Sequence, residues 1–395
     1  MPPLVRAFLS IFLLVPSLAF AWGFDGHRRL ALMMQDPLPA SHCLRAWFIA
    51  RQTTALQDHA CDPDRWRNTD SSEPPRHYLE IDWVTPIESY PRDWSRAQVQ
   101  LGVYATRNGI VPWRVEEMYA QLVAAFAAND QAQILDKAFV LSHYVTDAFS
   151  LLHNTRFFDP NGLHARWESD MLANATRINS VESSARALFG TPGKTDARNN
   201  IFDVVIRGNG LVSQLTAADT AATSTTVGGA CTTDSECAGS DYCIGNTCRA
   251  FDMTAFYNAV RDLTARRWAD AATLMASILW SAWADAGAPN LTGFGASCSK
   301  TVPTGEPVLL GYPITFTHPD GGTGGSGGSG GAGGSGGSGG TGGAGGSGGA
   351  GGTGASSGTG GGGEEIPPGC TCGSTPGLAF FGLLVVLARW RRQRR

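Results

Sequence analysis

From residue 321 to residue 363, 28 of 43 positions are Gly, and the other 15 are all Ser, Thr or Ala. Such a segment has no large apolar side chain with which to close a core. Its glycines also lose the most backbone entropy on ordering. Residues 321–368 therefore read as a flexible linker, and whatever folds lies before it.

The two ends of the chain read as addressing segments. Residues 1–21 form a secretory signal: Arg6 in the basic part, an apolar run from Ala7 to Val15 broken only by Ser10, and the small-x-small pattern Ala19-Phe20-Ala21. Cleavage after Ala21 makes Trp22 the N-terminus. Residues 369–395 hold Cys370 and Cys372, a short uncharged run and five arginines from Arg389 to Arg395. The run is short for a full span, which takes about 17–25 residues, and the arginines would hold its end on the cytoplasmic side. The tail resembles the C-terminal sorting signals of myxobacterial surface proteins, or else acts as a plain anchor. Either implies export and attachment at the cell surface. A cysteine-rich exported chain is expected to form disulfides.

The body reads as all-α, a bundle of seven to ten helices spanning 22–300, with an extended segment at 301–320. Apolar periodicity predicts helices over 113–129, 131–152 and 253–286. Residues 77–84 are the one short strand candidate. Residues 225–249 break the helical pattern and hold Cys231, Cys237, Cys243 and Cys248. They read as an insert stapled by two disulfides, with a zinc knuckle disfavoured by the lack of C-x-x-C pairs and His. Cys43 and Cys61 are candidates to pair with each other, and Cys298 has no obvious partner.

Of the eight histidines, His42, His59 and His318 stand apart and read as structural or solvated. The other five fall into a pattern with acids. His143 and Asp147 are i and i+4 on a strongly helical segment, so both project from one face. His164 and Glu168 repeat that spacing, and His153 lies between the pairs. One such pair is common by chance; two within 26 residues are not. Imidazole and carboxylate one helical turn apart offer two ligands to a single divalent ion. Asp147 also sits on an apolar face, where a carboxylate needs a partner. Asp64 and His77 flank a loop containing Pro74 and Pro75, His27 follows the new N-terminus closely, and Asp62 competes with Asp64. There is no P-loop and no G-x-S-x-G, and no serine or cysteine stands where a covalent nucleophile would have to.

The order Trp22, His27, Asp64, His77, His143-x3-Asp147-x5-His153, His164-x3-Glu168 resembles the trinuclear zinc phosphodiesterases. That superfamily contains bacterial zinc-dependent phospholipases C and fungal single-strand-specific nucleases. The resemblance implies three Zn²⁺ ions. One would lie on Asp64, His77, His143 and Asp147, and one on His153, His164 and Glu168. The third would lie on His27, a shared Asp147 and the amino group and carbonyl of Trp22. It implies a zinc-bridging water as nucleophile, oriented or deprotonated by the catalytic Asp64, and a chain inactive until Ala21 is removed. Arg67 is a candidate phosphate contact, and Tyr78 and Glu80 are candidate substrate contacts.

The two branches divide the remaining signals. Trp22-Gly23-x3-His27 and Leu163-His164-x2-Trp167-Glu168-Ser169 resemble the nucleases. Glu168 in place of Asp, the ten-residue gap between His153 and His164, and the closing helix with Trp280 and Trp283 resemble the phospholipases. Phe149-Ser150-Leu151-Leu152 stands where both branches usually carry Gln-Pro. The expectation is a monomeric phospholipase C-like phosphodiesterase, with a nuclease, or a surface protein with a structural zinc cluster, as the alternatives. Without the terminal segments, residues 22–368 carry 24 basic against 34 acidic residues, a net of −10. That charge gives little long-range attraction to polyanions, so phosphate recognition has to come from a local cluster of positive charge.

Overall fold

The computed structural model describes residues 22–311. The expected signal, linker and sorting tail, together with His318, lie outside them. Of the described residues 60% are helical and 4% strand, in keeping with an all-α class. The α-helices, in chain order, are α1 (Gly23–Met33), α2 (Cys43–Ile49), α3 (Thr54–His59), α4 (Asp62–Trp66), α5 (Trp94–Leu101), α6 (Tyr104–Arg107), α7 (Val111–Ala127), α8 (Gln131–Phe149), α9 (Leu163–Ala165), α10 (Ala175–Arg186), α11 (Ala197–Asn209), α12 (Val212–Ala222) and α13 (Met253–Asp285).

Helix α8 is the axis of the body. Every residue from 138 to 149 is buried, and the helix packs against α1, α3, α7, α11 and α13. Its start is fixed by Asp130, whose side chain accepts from Gln133 N at 3.1 Å. The short turn at Asn129, with φ 54°, makes α7 and α8 neighbours. Helix α13 is capped by Asp252 in the same way and is buried over most of its last two thirds. It spans ~50 Å at about 1.5 Å per residue, and lines the body from α10 and α12 to α7.

Two sequence expectations about regular structure change. Helix α8 ends at Phe149 rather than running to residue 152. Ser150 takes an extended conformation (ψ 128°), and a 3₁₀ turn, Leu151–Asn154, follows. Residues 77–84 form no strand. They comprise the end of a 3₁₀ turn (Pro74–His77), a short extended link and a second turn (Ile81–Trp83). The period-two pattern that suggested a strand is real, since His77, Leu79 and Ile81 are buried. The link lies between two different segments, however: Leu79 N donates to His153 O (2.9 Å) and Glu80 N to Asn108 O (2.7 Å). No partner strand is there to form a ladder.

The insert is stapled by Cys231–Cys243 and Cys237–Cys248. A two-residue antiparallel pair, Tyr242–Cys243 with Cys248–Arg249, is closed by Gly245 and Asn246, both at positive φ, the turn type that suits a tight hairpin. Elsewhere the cysteine expectation is overturned: Cys43 pairs with Cys298, and Cys61 is a free, buried thiol. The segment after α13 returns to α2, where Cys43 N donates to Ser299 O (2.8 Å) and Ser299 N to Ser41 O (2.9 Å). Cys61 instead faces Phe24 O in the core. Residues 301–311 stay on the body. Thr301 O accepts from Trp280 Nε1, and Val308 pairs with Thr191.

Candidate metal centre

Six local structures deliver their side chains to one buried point. Helix α1 supplies His27, α4 supplies Asp64, and the turn Pro74–His77 supplies His77. Helix α8 supplies His143 and Asp147, the turn Leu151–Asn154 supplies His153, and α9 with the following π-helical turn (Arg166–Asp170) supplies His164 and Glu168. The early end of α8 lets His153 fold back toward Asp147. The π turn keeps His164 Nε2 2.7 Å from Glu168 Oε2; such turns recur at functional sites. Its entry is set by Asn161 and Gly162, both at positive φ, and by Asp159, which accepts from His164 N at 3.0 Å.

The ligand atoms fall into three abutting groups, each within 4.8 Å: His27 with Asp64 and His143; His77 with His143 and Asp147; His153 with His164 and Glu168. Asp147 joins them. Its Oδ2 lies 2.9 Å from His77 Nδ1 and 3.2 Å from His143 Nε2, and its Oδ1 lies 3.4 Å from His27 Nε2. Asp64 stands slightly further off, 3.8 Å from His143 Nε2 and 4.0 Å from both His27 and His77. His153 Nε2 meets His164 Nε2 at 3.2 Å. All eight residues expected from the sequence beyond Trp22 therefore converge.

The rings are aimed by their second nitrogens. His143 Nδ1 is bonded to Ala60 O (2.7 Å), His153 Nδ1 to His77 O (2.7 Å) and His27 Nδ1 to Thr146 Oγ1 (3.0 Å). Donation there leaves the lone pair of Nε2 facing the cluster, the arrangement that metal-ligating histidines adopt. His77 is turned the other way: its Nδ1 faces the cluster, while its Nε2 lies 3.4 Å from Glu73 Oε1, an ion-pair contact rather than a formed hydrogen bond.

Buried polar atoms are normally paired. Here His27 Nε2, both oxygens of Asp64, Asp147 Oδ1 and Glu168 Oε2 are all buried and have no hydrogen-bond partner. Burial pushes the Asp64 carboxyl up. Burial would raise Asp147 too, but His143 and His153 hold it well below the usual carboxylate range. His143 carries the opposite burden. Burial opposes its charge, yet Asp147 and Asp64 push it up to about 9. Burial pushes His153 down to about 4 and His27 well below its ordinary value. Three carboxylates are thus buried together with atoms that no protein group satisfies, and imidazole lone pairs point inward. A divalent cation satisfies both features. The mixed imidazole and carboxylate donors suit zinc among others.

Trp22 is buried against Trp167 and Trp268. Its indole donates to Thr146 O at 2.9 Å, so Thr146 positions both Trp22 and the His27 ring. Its carbonyl accepts from Gly26 N (3.1 Å), which leaves one lone pair. Arg67 closes α4 with its guanidinium 3.5 Å from Asp64 Oδ1, about one-third exposed. Tyr78 and Glu80 lie on the link leading away from His77. The Tyr78 hydroxyl donates to Arg107 O (3.3 Å), and Glu80 accepts from Trp83 Nε1 (2.5 Å). Burial pushes Glu80 up to about 7. Asp62 turns away to His59 and Arg65, which leaves Asp64 as the member of the cluster. His42 caps α2 and bonds Thr301 O, a structural role.

Sequence reasoning passed over the supporting residues. Glu73 is the i−4 neighbour of His77, the same spacing that picked out the other two pairs. It is fully buried and also accepts from Tyr144 and Arg76. Ser150, in the Phe149-Ser150-Leu151-Leu152 departure, donates to Glu168. No protein-family model matches this chain, and no curated protein matches it.

Proposed function

We propose that this protein is a zinc-dependent phosphodiesterase, acting in the manner of a phospholipase C. The observation that carries the reading is the convergence of five imidazoles and three carboxylates in three abutting groups, in which His27 Nε2, both Asp64 oxygens and Asp147 Oδ1 form no hydrogen bond. The residues that would hold zinc are Asp64, His77, His143 and Asp147; His153, His164 and Glu168; and His27 with the Trp22 terminus. When bound, zinc supplies Lewis acidity toward phosphoryl oxygens and lowers the pKa of water.

The chain's own groups then have definite tasks. Asp64, whose buried oxygens form no hydrogen bond with the protein, would orient a water and accept its proton. Arg67, beside it at the partly exposed edge, is placed to pair with a phosphate oxygen. Thr146, Ala60 O, His77 O and Glu73 hold the rings in place. The apolar packing of α8 excludes bulk water and strengthens each of these electrostatic contacts.

The lean to a lipid substrate rests on the resemblance: only ten residues separate His153 from His164, where the nucleases usually carry a longer loop that shapes the nucleotide pocket. The nuclease reading keeps its own support in the Trp22-Gly23-x3-His27 start. Among the described residues no helix is long and apolar enough to cross a membrane; export and surface attachment rest on the terminal segments. Mature protein with Zn²⁺ is to be given phosphatidylcholine and single-stranded DNA side by side. Phosphocholine release without DNA cleavage is expected. The reverse result would favour the nuclease, and zinc binding with neither activity would leave a structural cluster.

A further inference from the structure

The link that starts at His77 ends at the protein surface. Along one side it is tied to the segment after His153. His77 O accepts from His153 Nδ1 (2.7 Å), His153 O from Leu79 N (2.9 Å), and Asp82 from both Thr155 Oγ1 (2.6 Å) and Arg156 N (2.8 Å). Along the other it is tied to the end of α6, where Arg107 O and Asn108 O accept from Tyr78 Oη and Glu80 N. Two metal-ligand candidates and two surface segments thus form one hydrogen-bonded unit.

At its outer end Trp83 and Phe157 are 52% and 62% exposed. The Arg156 guanidinium stands over both rings, 5.1 and 4.9 Å from their centroids. On the α6 flank the pairing repeats: Tyr104 is 46% exposed with Arg107 5.6 Å over its ring, and Val103 beside it is 72% exposed. Single exposed apolar side chains are ordinary. Aromatic rings each carrying a guanidinium, hydrogen-bonded through to a buried cluster of metal-ligand candidates, are a built feature.

We propose that this rim docks on a zwitterionic phospholipid bilayer. Trp83 and Phe157 would seat among the headgroups, and Arg156 between them would meet a lipid phosphate. Trp and Tyr favour that layer because one part of each ring system is apolar and the other polar, and arginine can lie along apolar surface with its charge outward. The excess of acidic residues, −10 over residues 22–368, opposes a polyanion such as nucleic acid, which needs a broad basic footprint. It does not oppose a surface of no net charge. The proposal rests on the phospholipase reading of the metal centre.

The test separates docking from chemistry. The mature chain with zinc is floated with vesicles of a phosphonate analogue of phosphatidylcholine that it cannot cleave. Turnover of a water-soluble phosphodiester and binding to a single-stranded oligonucleotide are measured beside it. Phe157→Ser, and Trp83→Ser with Phe157→Ser, are expected to lower vesicle partition about tenfold or more. Phe157→Ser should leave soluble turnover within about twofold, because it spares the Trp83–Glu80 bond. Unchanged partition in both variants would overturn the docking surface while leaving the catalytic reading intact. So would oligonucleotide binding that the variants lose, with no vesicle binding by the parent. A parent that floats through these residues yet cleaves neither lipid nor the soluble diester would instead sink the catalytic reading alone.

Discussion

Glu73 and His77 sit one turn apart, and Glu73 Oε1 lies 3.4 Å from the His77 nitrogen that faces away from the metal centre. Burial works against the Glu73 charge, but His77, Tyr144 and Arg76 together hold its carboxyl below the usual range. An ionised Glu73 favours a proton on His77 Nε2 and so a free lone pair on Nδ1, the atom 2.9 Å from Asp147. Glu73→Gln is therefore expected to weaken zinc binding by about 10–100-fold, read by chelator competition followed by metal analysis. An affinity equal to that of the parent would show that Glu73 supports the fold only.

The buried indole of Trp22, the expected N-terminus after cleavage, donates to Thr146 O. If its amino group is a ligand, an amide at that position removes one. A form retaining Ala21 and further residues is expected to bind fewer zinc ions per chain and to lose most of its activity. Elemental analysis beside a rate assay checks this. Full metal content and full rate in the extended form would refute the role of the terminus.

Glu80 supplies a pH test away from the cluster. Its carboxyl is pushed up to about 7, mainly by burial and further by Asp82. A raised carboxyl favours the protonated form in the fold. No stability is lost below the ordinary value of about 4.3, and stability falls as pH rises through 7. Relative to Glu80→Gln, the parent should lose stability between pH ~4.5 and ~7. Urea midpoints of the two proteins at pH 5 and pH 8 measure it, and a constant gap would count against the buried environment.

Cys298→Ser opens a loop closed across 255 residues of sequence. A loss of about 2–4 kcal/mol is expected, seen as a lower denaturation midpoint. Burial pushes the Cys61 thiol up to about 12, and it is enclosed in the core. Alkylation of the native protein followed by peptide mapping should leave the Cys61 peptide unmodified until the chain is unfolded. Rapid labelling in the native state would contradict that burial.

Much of the centre was legible because helical spacing is local. His143 and Asp147 share one face of an α-helix whatever the rest of the chain does. His164 and Glu168 stand out by the same spacing, though a π turn carries it there. The same rule would have found Glu73 beside His77, had the stretch before the two prolines been read as a turn. The two disulfides of the insert were legible for a similar reason, as their cysteines are close in sequence.

What the amino-acid sequence determined by itself was the helical class and the identity of the candidate ligands, both consequences of composition and short-range period. Tertiary structure decided which residues meet. Cys43 finds Cys298 rather than Cys61 because the chain after α13 returns to α2. Residues 77–84 fail to become a strand because helices and turns, not a second strand, lie beside them. The three ligand groups close up because α8 ends early and a π turn follows α9. Each of these depends on contacts far apart in sequence, which no local periodicity encodes.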